Sequence, residues 1–153
     1  MPRVLISQQL FVAILQPQLP DAQAVADWFE EGQNRDRDPF IPYATITTFA
    51  FIEASARADK KQDIHNVLCH LKADLIVEKR FINIDRSMAD RFGQMLEDLH
   101  RAKIREFMTL EILDAAVASD IGCILIAPKT KALEELASLD GISLVDPWAG
   151  EDI

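Results

Sequence analysis

The chain has 153 residues, 49% hydrophobic and 27% charged, which is long enough for one domain with a full hydrophobic core. Its net charge of −9 argues against a general nucleic-acid-binding protein and favours a basic protein partner. Its apolar runs are too short to cross a membrane, and Ser7 to Gln9 interrupt any signal-peptide core, so we expect a cytoplasmic protein. The two cysteines, Cys69 and Cys123, lack zinc-site spacing and are expected to be buried, reduced thiols.

The first part of the chain alternates short apolar strands with helical patterns. Its predicted elements are a strand at Val4–Ile6, a helix through Leu10–Leu15, a helix from an Asp21 N-cap to about Glu31, a polar loop at Gln33–Asp38, a strand at Phe40–Thr45, and a helix from Thr47 or Thr48 to about Ala58. The apolar face of the second helix is expected to comprise Ala24, Val25, Trp28 and Phe29. Pro42 places the second strand near a sheet edge or at a strand start.

The second part continues the alternation. Its predicted elements are a helix at Asp63–Val77 with Ile64, Val67, Leu68, Leu71 and Leu75 on one face, a strand at Phe81–Ile84, a helix at Arg86–Lys103 capped by Asp85, a helix at Leu110–Ile121 ended by Gly122, a strand at Cys123–Ala127, a helix at Lys131–Ser138 and a strand at Ile142–Val145. The strand CILIA is apolar throughout, which indicates a parallel strand covered on both faces.

Together these elements predict a single domain over residues 1–153, a three-layer α/β/α sandwich with a mostly parallel central sheet. Ligand chemistry in such folds lies at the carboxyl ends of the strands. Ser7 follows the first strand directly, and the turn Pro128–Lys131 follows CILIA.

Five segments in this order carry a family resemblance: VLISQQL, YATITTFAFIEASA, INIDRSMADRFGQM, LEILDAAVASDIGCILIAPK and the closing VDPW. The chain resembles PIN-domain proteins, in particular the VapC-type toxins of bacterial toxin–antitoxin pairs. The family helix D-A-L-I-A-A-T-A-x-x-x-G matches Glu111–Gly122, and the strand motif L-V-T-R-N matches Leu125–Lys129, with no gap between them. The resemblance implies a PIN-like fold, a homodimer, an antitoxin-like protein partner, and Mg²⁺- or Mn²⁺-dependent cleavage of RNA.

The resemblance also implies a metal site of four clustered carboxylates, because hard divalent cations prefer oxygen ligands. The family acids fall on Ser7, Ala50, Glu111 and Ala132, so that only Glu111 retains a carboxylate. One carboxylate and one hydroxyl make a weak Mg²⁺ site. The sequence therefore predicts an incomplete nuclease site.

Two other acids are candidates to replace the missing ligands. Counting about 100° per residue, Asp114 falls within the apolar stripe of its helix and about 60° from Glu111, while Glu53 lies one turn after Ala50. One hypothesis is a relocated metal site of Glu53, Glu111 and Asp114, with the Ser7 hydroxyl as an auxiliary oxygen. The alternative is that Glu53 pairs with Arg57 at i+4 and that Asp114 lines a polar cleft floor.

Basic residues offer a second kind of candidate site. Arg57 and Lys60 belong to one small basic cluster, and Arg101 and Lys103 belong to another. Lys129 lies in the turn after CILIA. They are either solvated cations favoured at helix C-termini or contacts to RNA phosphates. The three histidines (His65, His70 and His100) show no ligand spacing and are assigned to surface or packing roles.

Three functions remain open at this stage. The chain is a catalytically impaired relative of ribonuclease toxins that acts through protein or RNA binding, an active endoribonuclease that uses the relocated acids, or an interaction module unrelated to toxins.

Overall fold

The central sheet has five strands in the order β3-β2-β1-β4-β5, and all neighbouring strands run parallel. The computed structural model describes residues 2–15, 22–35, 37–42 and 45–153. Its strands are β1 Arg3–Ile6, β2 Asp38–Pro42, β3 Phe81–Ile82, β4 Ile124–Ile126 and β5 Leu144–Val145. Leu5 of β1 is in register with Phe40 and Leu125, so the first strand is central and parallel to CILIA. This confirms the predicted sheet.

The helices fill the two outer layers. They are α1 Gln8–Leu15, α2 Ala22–Glu30, α3 Gly32–Arg35, α4 Thr45–Ser55, α5 Lys61–Val77, α6 Arg86–Arg101, α7 Thr109–Ile121 and α8 Lys131–Asp140, with a 3₁₀ turn at Pro147–Ala149. The Asp85 side chain accepts a hydrogen bond from Met88 N and caps α6, and Gly122 closes α7 in the left-handed region at φ 68°, both as predicted. Among the residues that the structure describes, no helix has both the length and the apolar character needed to cross a bilayer.

The hydrophobic core lies on both faces of the sheet. Leu5 packs with the layer of α6, α7 and α8, while Val4 and Ile6 face the layer that contains α1, α2, α4 and α5. This alternation is the period of two that a β-strand imposes. It explains why the strands carry apolar residues at consecutive positions, and it confirms the α/β sandwich.

Several predicted boundaries were wrong. Residues 32–35 form the short helix α3 instead of a loop, and Asp38 already belongs to β2. β2 ends at Pro42, and Thr45 starts α4 instead of ending the strand. β2 is also an inner strand, so Pro42 marks its end and not an edge. The predicted cap Asp21 and residues 43 and 44 lie outside the described residues.

Three residues assigned to buried positions are exposed: Ala24, Val67 and Cys69. Val67 and Cys69 each lie about 100° round α5 from the buried Leu68, and Ala24 lies about 100° round α2 from the buried Val25, so all three lie away from the covered stripe. Cys123 is buried, as predicted, so only half of the cysteine prediction is confirmed.

Candidate functional site

Ser7 lies where the chain leaves the central strand β1 and enters α1. Its backbone N–H donates to Ile126 O at 3.0 Å, which continues the β1–β4 pairing by one residue. The side chain is 3% exposed, and its Oγ has no hydrogen-bond partner among the described residues. Ser7, the first polar residue after the apolar strand β1, thus places a buried hydroxyl at the carboxyl end of the sheet.

Asp114 of α7 lies beside this turn. Gln8 N donates to its Oδ2 at 3.2 Å, whereas Oδ1 finds no partner within the described part of the chain. Burial raises the pKa of Asp114 to about 8; the amide groups of Gln8 offset part of the rise, and the charge of Glu111 adds to it. At pH 7 this carboxyl group is therefore mostly protonated. Asp114 does not belong to the lining of the cleft beside Gln8, so its predicted place in a polar cleft floor stays a prediction.

Glu111 occupies the one family position that retains a carboxylate. Its Oε2 accepts from Met108 N at 3.3 Å, and its Oε1 accepts from the Thr130 hydroxyl. Thr130 Oγ1 in turn accepts from Leu133 N at 3.2 Å and caps α8. Glu111 thus joins the N-termini of α7 and α8, and both of its oxygens have protein donors.

The other two family positions carry no ligand atom. Ala50 is exposed on α4, and Ala132 is fully buried at the start of α8. Across the described ranges, no three His, Cys, Asp or Glu side chains lie close enough together to hold a metal ion. The described residues by themselves therefore do not supply the several ionised oxygens around one point that the Mg²⁺ or Mn²⁺ site of the family needs.

The third acid of the relocated site is held elsewhere. Glu53 Oε1 lies 2.5 Å from His65 Nδ1, and Arg57 Nε lies 3.5 Å from Asp59 Oδ1. The expected Glu53–Arg57 pair is therefore wrong. Asp114 and Glu111 influence each other electrostatically, but the structure does not bring Glu53 to them.

A small cleft opens next to Gln8, with a volume of about 260 Å³. Its lining consists of Gln8, Gln9, Val12, Thr47, Thr48, Phe51, Met108 and Leu110. Thr48 Oγ1 donates to Gln8 Oε1 at 2.6 Å, which fixes the polar end. Phe51 and Met108 are 64% and 56% exposed, so the rim is apolar. Such a rim suits the apolar side chains of a partner protein better than a phosphate.

The candidate phosphate-binding residues do not form one basic patch. Arg101 Nε contacts Glu97 Oε1 at 3.0 Å, Arg57 pairs with Asp59, and Lys129 Nζ pairs with Glu151. Lys60 is exposed at the start of α5. Three of these four cations are therefore paired with acids, which weakens the positive field that they offer to RNA.

Sequence reasoning missed the apolar rim and the role of Glu111 in joining two helices. Phe51 and Met108 are large apolar residues outside the apolar stripes of the helices. This position is the sequence feature that could have predicted an exposed apolar rim. The bond between Glu111 and Thr130 joins residues 19 positions apart, and no local pattern announces it.

The fold matches several solved structures over nearly the whole chain. FitAcB from Neisseria gonorrhoeae matches with a TM-score of 0.73 and 17% identity, covering 95% of this chain and 98% of that one. DNA-bound VapBC from Salmonella typhimurium matches at 0.68 and 16%, covering 96% and 99%. VapBC-5 from Mycobacterium tuberculosis, a member of the VapBC family of toxin–antitoxin systems, matches at 0.60 and 16%, covering 95% and 98%.

These matches give the class of the protein: an α/β domain with the fold of VapC-type PIN domains. The family resemblance stated from the motifs is confirmed at the level of the fold. Neither a protein-family model nor a curated protein sequence matches this chain.

Proposed function

We propose that this protein is a catalytically impaired member of the VapC-like fold class and acts by binding a partner protein, with RNA as a second candidate ligand. The observation that carries this proposal is the site at the carboxyl ends of β1 and β4. Three acid positions hold Ser7, Ala50 and Ala132, and the fourth, Glu111, is hydrogen-bonded at both oxygens. What remains there serves packing and helix capping.

The proposed partner is an antitoxin-like protein with a basic, partly apolar binding segment. The net charge of −9 favours a basic partner and speeds its approach. The cleft beside Gln8 offers the exposed side chains of Phe51 and Met108 to apolar residues of such a segment. One of the matching structures is a member of the VapBC family of toxin–antitoxin systems, which supports a partner of this kind. A homodimer remains a prediction from the resemblance; light scattering should then give twice the chain mass of 17.2 kDa.

The proposal is tested by metal binding and RNA cleavage. We expect no saturable Mn²⁺ binding in calorimetry and no RNA cleavage with Mg²⁺ or Mn²⁺. The double variant Ser7→Asp/Ala50→Glu restores two carboxylates at family positions and should gain measurable Mn²⁺ affinity. Its matched control, Ser7→Asn/Ala50→Gln, has nearly the same shape without charge and should not.

Cleavage of RNA by the wild-type protein, abolished by Glu111→Gln in a variant with an unchanged circular dichroism spectrum, would overturn the proposal. It would favour the second candidate, an active Mg²⁺- or Mn²⁺-dependent endoribonuclease using Glu53, Glu111 and Asp114. The observation that supports this second candidate is the electrostatic interaction between Asp114 and Glu111. In that case Asp114→Asn and Glu53→Gln should each reduce cleavage as well.

A further inference from the structure

A cluster of three side chains lies on α4 and α5, and it shares only Glu53 with the relocated acid set considered above. Glu53 of α4 contacts His65 Nδ1 at 2.5 Å, and Cys69 Sγ lies 3.4 Å from His65 Nε2. The carboxylate, the imidazole and the thiol thus form a chain in which each ring nitrogen has one partner. The metal-binding and nucleic-acid proposals use neither His65 nor Cys69.

The arrangement follows from helix geometry. His65 and Cys69 are four residues apart on α5 and therefore share one face. Glu53 approaches from α4, which packs against α5. All three are accessible to solvent: the side chains of His65 and Glu53 are 46% and 30% exposed, and Cys69 is exposed. A reagent can therefore reach the thiol directly.

The order of the three groups is that of an activated nucleophile. With its hydrogen on Nδ1, His65 donates to Glu53 and leaves the Nε2 lone pair facing the Cys69 thiol. An imidazole in this position can accept the thiol proton, and the carboxylate then stabilises the imidazolium. The thiolate is the reactive form of cysteine.

We propose that Cys69 is a reactive thiol, activated by His65 and oriented through Glu53, and that it is a modification site for low-molecular-weight disulfides. The thiol gives its proton to His65 Nε2, and the thiolate attacks one sulfur of the disulfide. The bond from Cys69 Sγ to that sulfur forms as the disulfide bond of the reagent breaks. The second sulfur leaves as a thiolate and takes the proton back from His65. Cys69 is oxidised to a mixed disulfide, and the reagent is reduced to one free thiol.

The chain contains its own reference thiol. Cys123 is 6% exposed, and its burial raises the pKa of its thiol. Both effects oppose attack on a disulfide. Glu53 also belongs to the relocated acid set of the second candidate function, but the measured quantity here is modification of Cys69, which is distinct from partner binding and from RNA cleavage.

The test compares rates of thiol modification in the folded protein. Glutathione disulfide and iodoacetamide are added at pH 6 to 9, and the modified cysteine is identified by peptide mass spectrometry. We expect Cys69 to react at pH 7 about three- to tenfold faster than in His65→Gln, because the variant lacks the imidazole that accepts the thiol proton. His70→Gln, a matched change of an exposed histidine on the same helix, should react like the wild type.

The variant Glu53→Gln distinguishes activation of the Cys69 thiol from its simple exposure to solvent. Its loss of charge should slow the reaction of Cys69 at pH 7, because the imidazolium loses its carboxylate partner, while the exposure of Cys69 stays unchanged. Equal rates and equal pH profiles in wild type, His65→Gln and Glu53→Gln would overturn the proposal. Preferential modification of Cys123 over Cys69 would overturn it too.

Discussion

The carboxyl group of Asp114 is buried without a full set of hydrogen-bond donors. Asp114 is 1% exposed; Gln8 N donates to its Oδ2, while its Oδ1 has no hydrogen-bond partner in the ranges that the structure describes. Burial without compensating donors favours the neutral form of an acid. The group that a sequence pattern marks as a candidate ligand is therefore poorly charged at neutral pH, and it also sets how stability depends on pH.

Asp114→Asn should change that dependence. The pKa of Asp114 rises from 3.8 to about 8 on folding, so its neutral form stabilises the protein fully below about pH 4 and this contribution is lost as the pH rises towards 8. Asparagine stays neutral at every pH. We expect the variant to be more stable than wild type by about 1–3 kcal/mol at pH 8, and nearly equal at pH 4. Urea unfolding at the two pH values measures this.

Asp120→Asn is the matched control on the same helix, because Asp120 contacts Ser87 and Arg91 near the surface. It should leave the pH dependence of wild type in place. If Asp114→Asn showed the same slope between pH 4 and 8 as wild type, the carboxyl group would not be the cause.

Two helix starts depend on one carboxylate. Glu111 lies in the first turn of α7 and accepts from Met108 N and from Thr130, which caps α8. A carboxylate near helix N-termini is also favoured by the helix dipoles. Glu111 therefore has a structural role in this chain, whereas a sequence comparison alone would assign it a catalytic role.

Glu111→Ala should lower stability by about 1–3 kcal/mol, because it leaves Met108 N and the Thr130 hydroxyl without their acceptor. Thr130→Ala should cost about 1 kcal/mol through loss of the α8 cap. The double variant should be less destabilised than the sum of the two, with a coupling above about 0.5 kcal/mol in chemical denaturation. Glu106→Ala, an exposed acid before α7, is the control. Strictly additive losses would contradict the proposed link.

At the scale of the whole molecule, the C-terminal residues are hydrogen-bonded to α2 and α3. Trp28 Nε1 donates to Glu151 O at 2.6 Å, and Asn34 Nδ2 donates to Asp152 Oδ1 at 2.7 Å. Ile153 N donates to Asn34 Oδ1 at 3.0 Å. Asn34 is 1% exposed, so its amide satisfies two partners more than 100 residues away.

Asn34→Ala should therefore destabilise the protein by about 1–3 kcal/mol, since it removes two hydrogen bonds that join α3 to the C-terminal residues, each worth about 0.5–1.5 kcal/mol. Asn66→Ala on the exposed surface of α5 removes a similar side chain and should change stability by less than about 0.5 kcal/mol. Thermal unfolding of both variants measures the difference. Equal melting temperatures for the two would contradict this role of Asn34.

The sequence by itself determined the sheet, the layers and most helices. Apolar runs such as CILIA, the Asp85 cap and Gly122 act through neighbouring residues, so they can be interpreted without the fold. The position of Ser7 at the end of β1 followed from the same local logic. Boundaries at Gln33–Asp38 and Phe40–Thr45 failed because the side-chain bonds of Asn34 and the pairing of β2 join distant parts of the chain.

The tertiary structure decided what each candidate side chain can do. The sequence showed which acids were replaced, but only the fold shows Glu111 engaged by Thr130, Asp114 buried next to Gln8, and Glu53 paired with His65. Helix periodicity places a residue on a face, whereas its protonation and its partners depend on what another element brings against it. For that reason the SQQ turn was recognisable from the sequence, and the thiol, imidazole and carboxylate of Cys69, His65 and Glu53 were not.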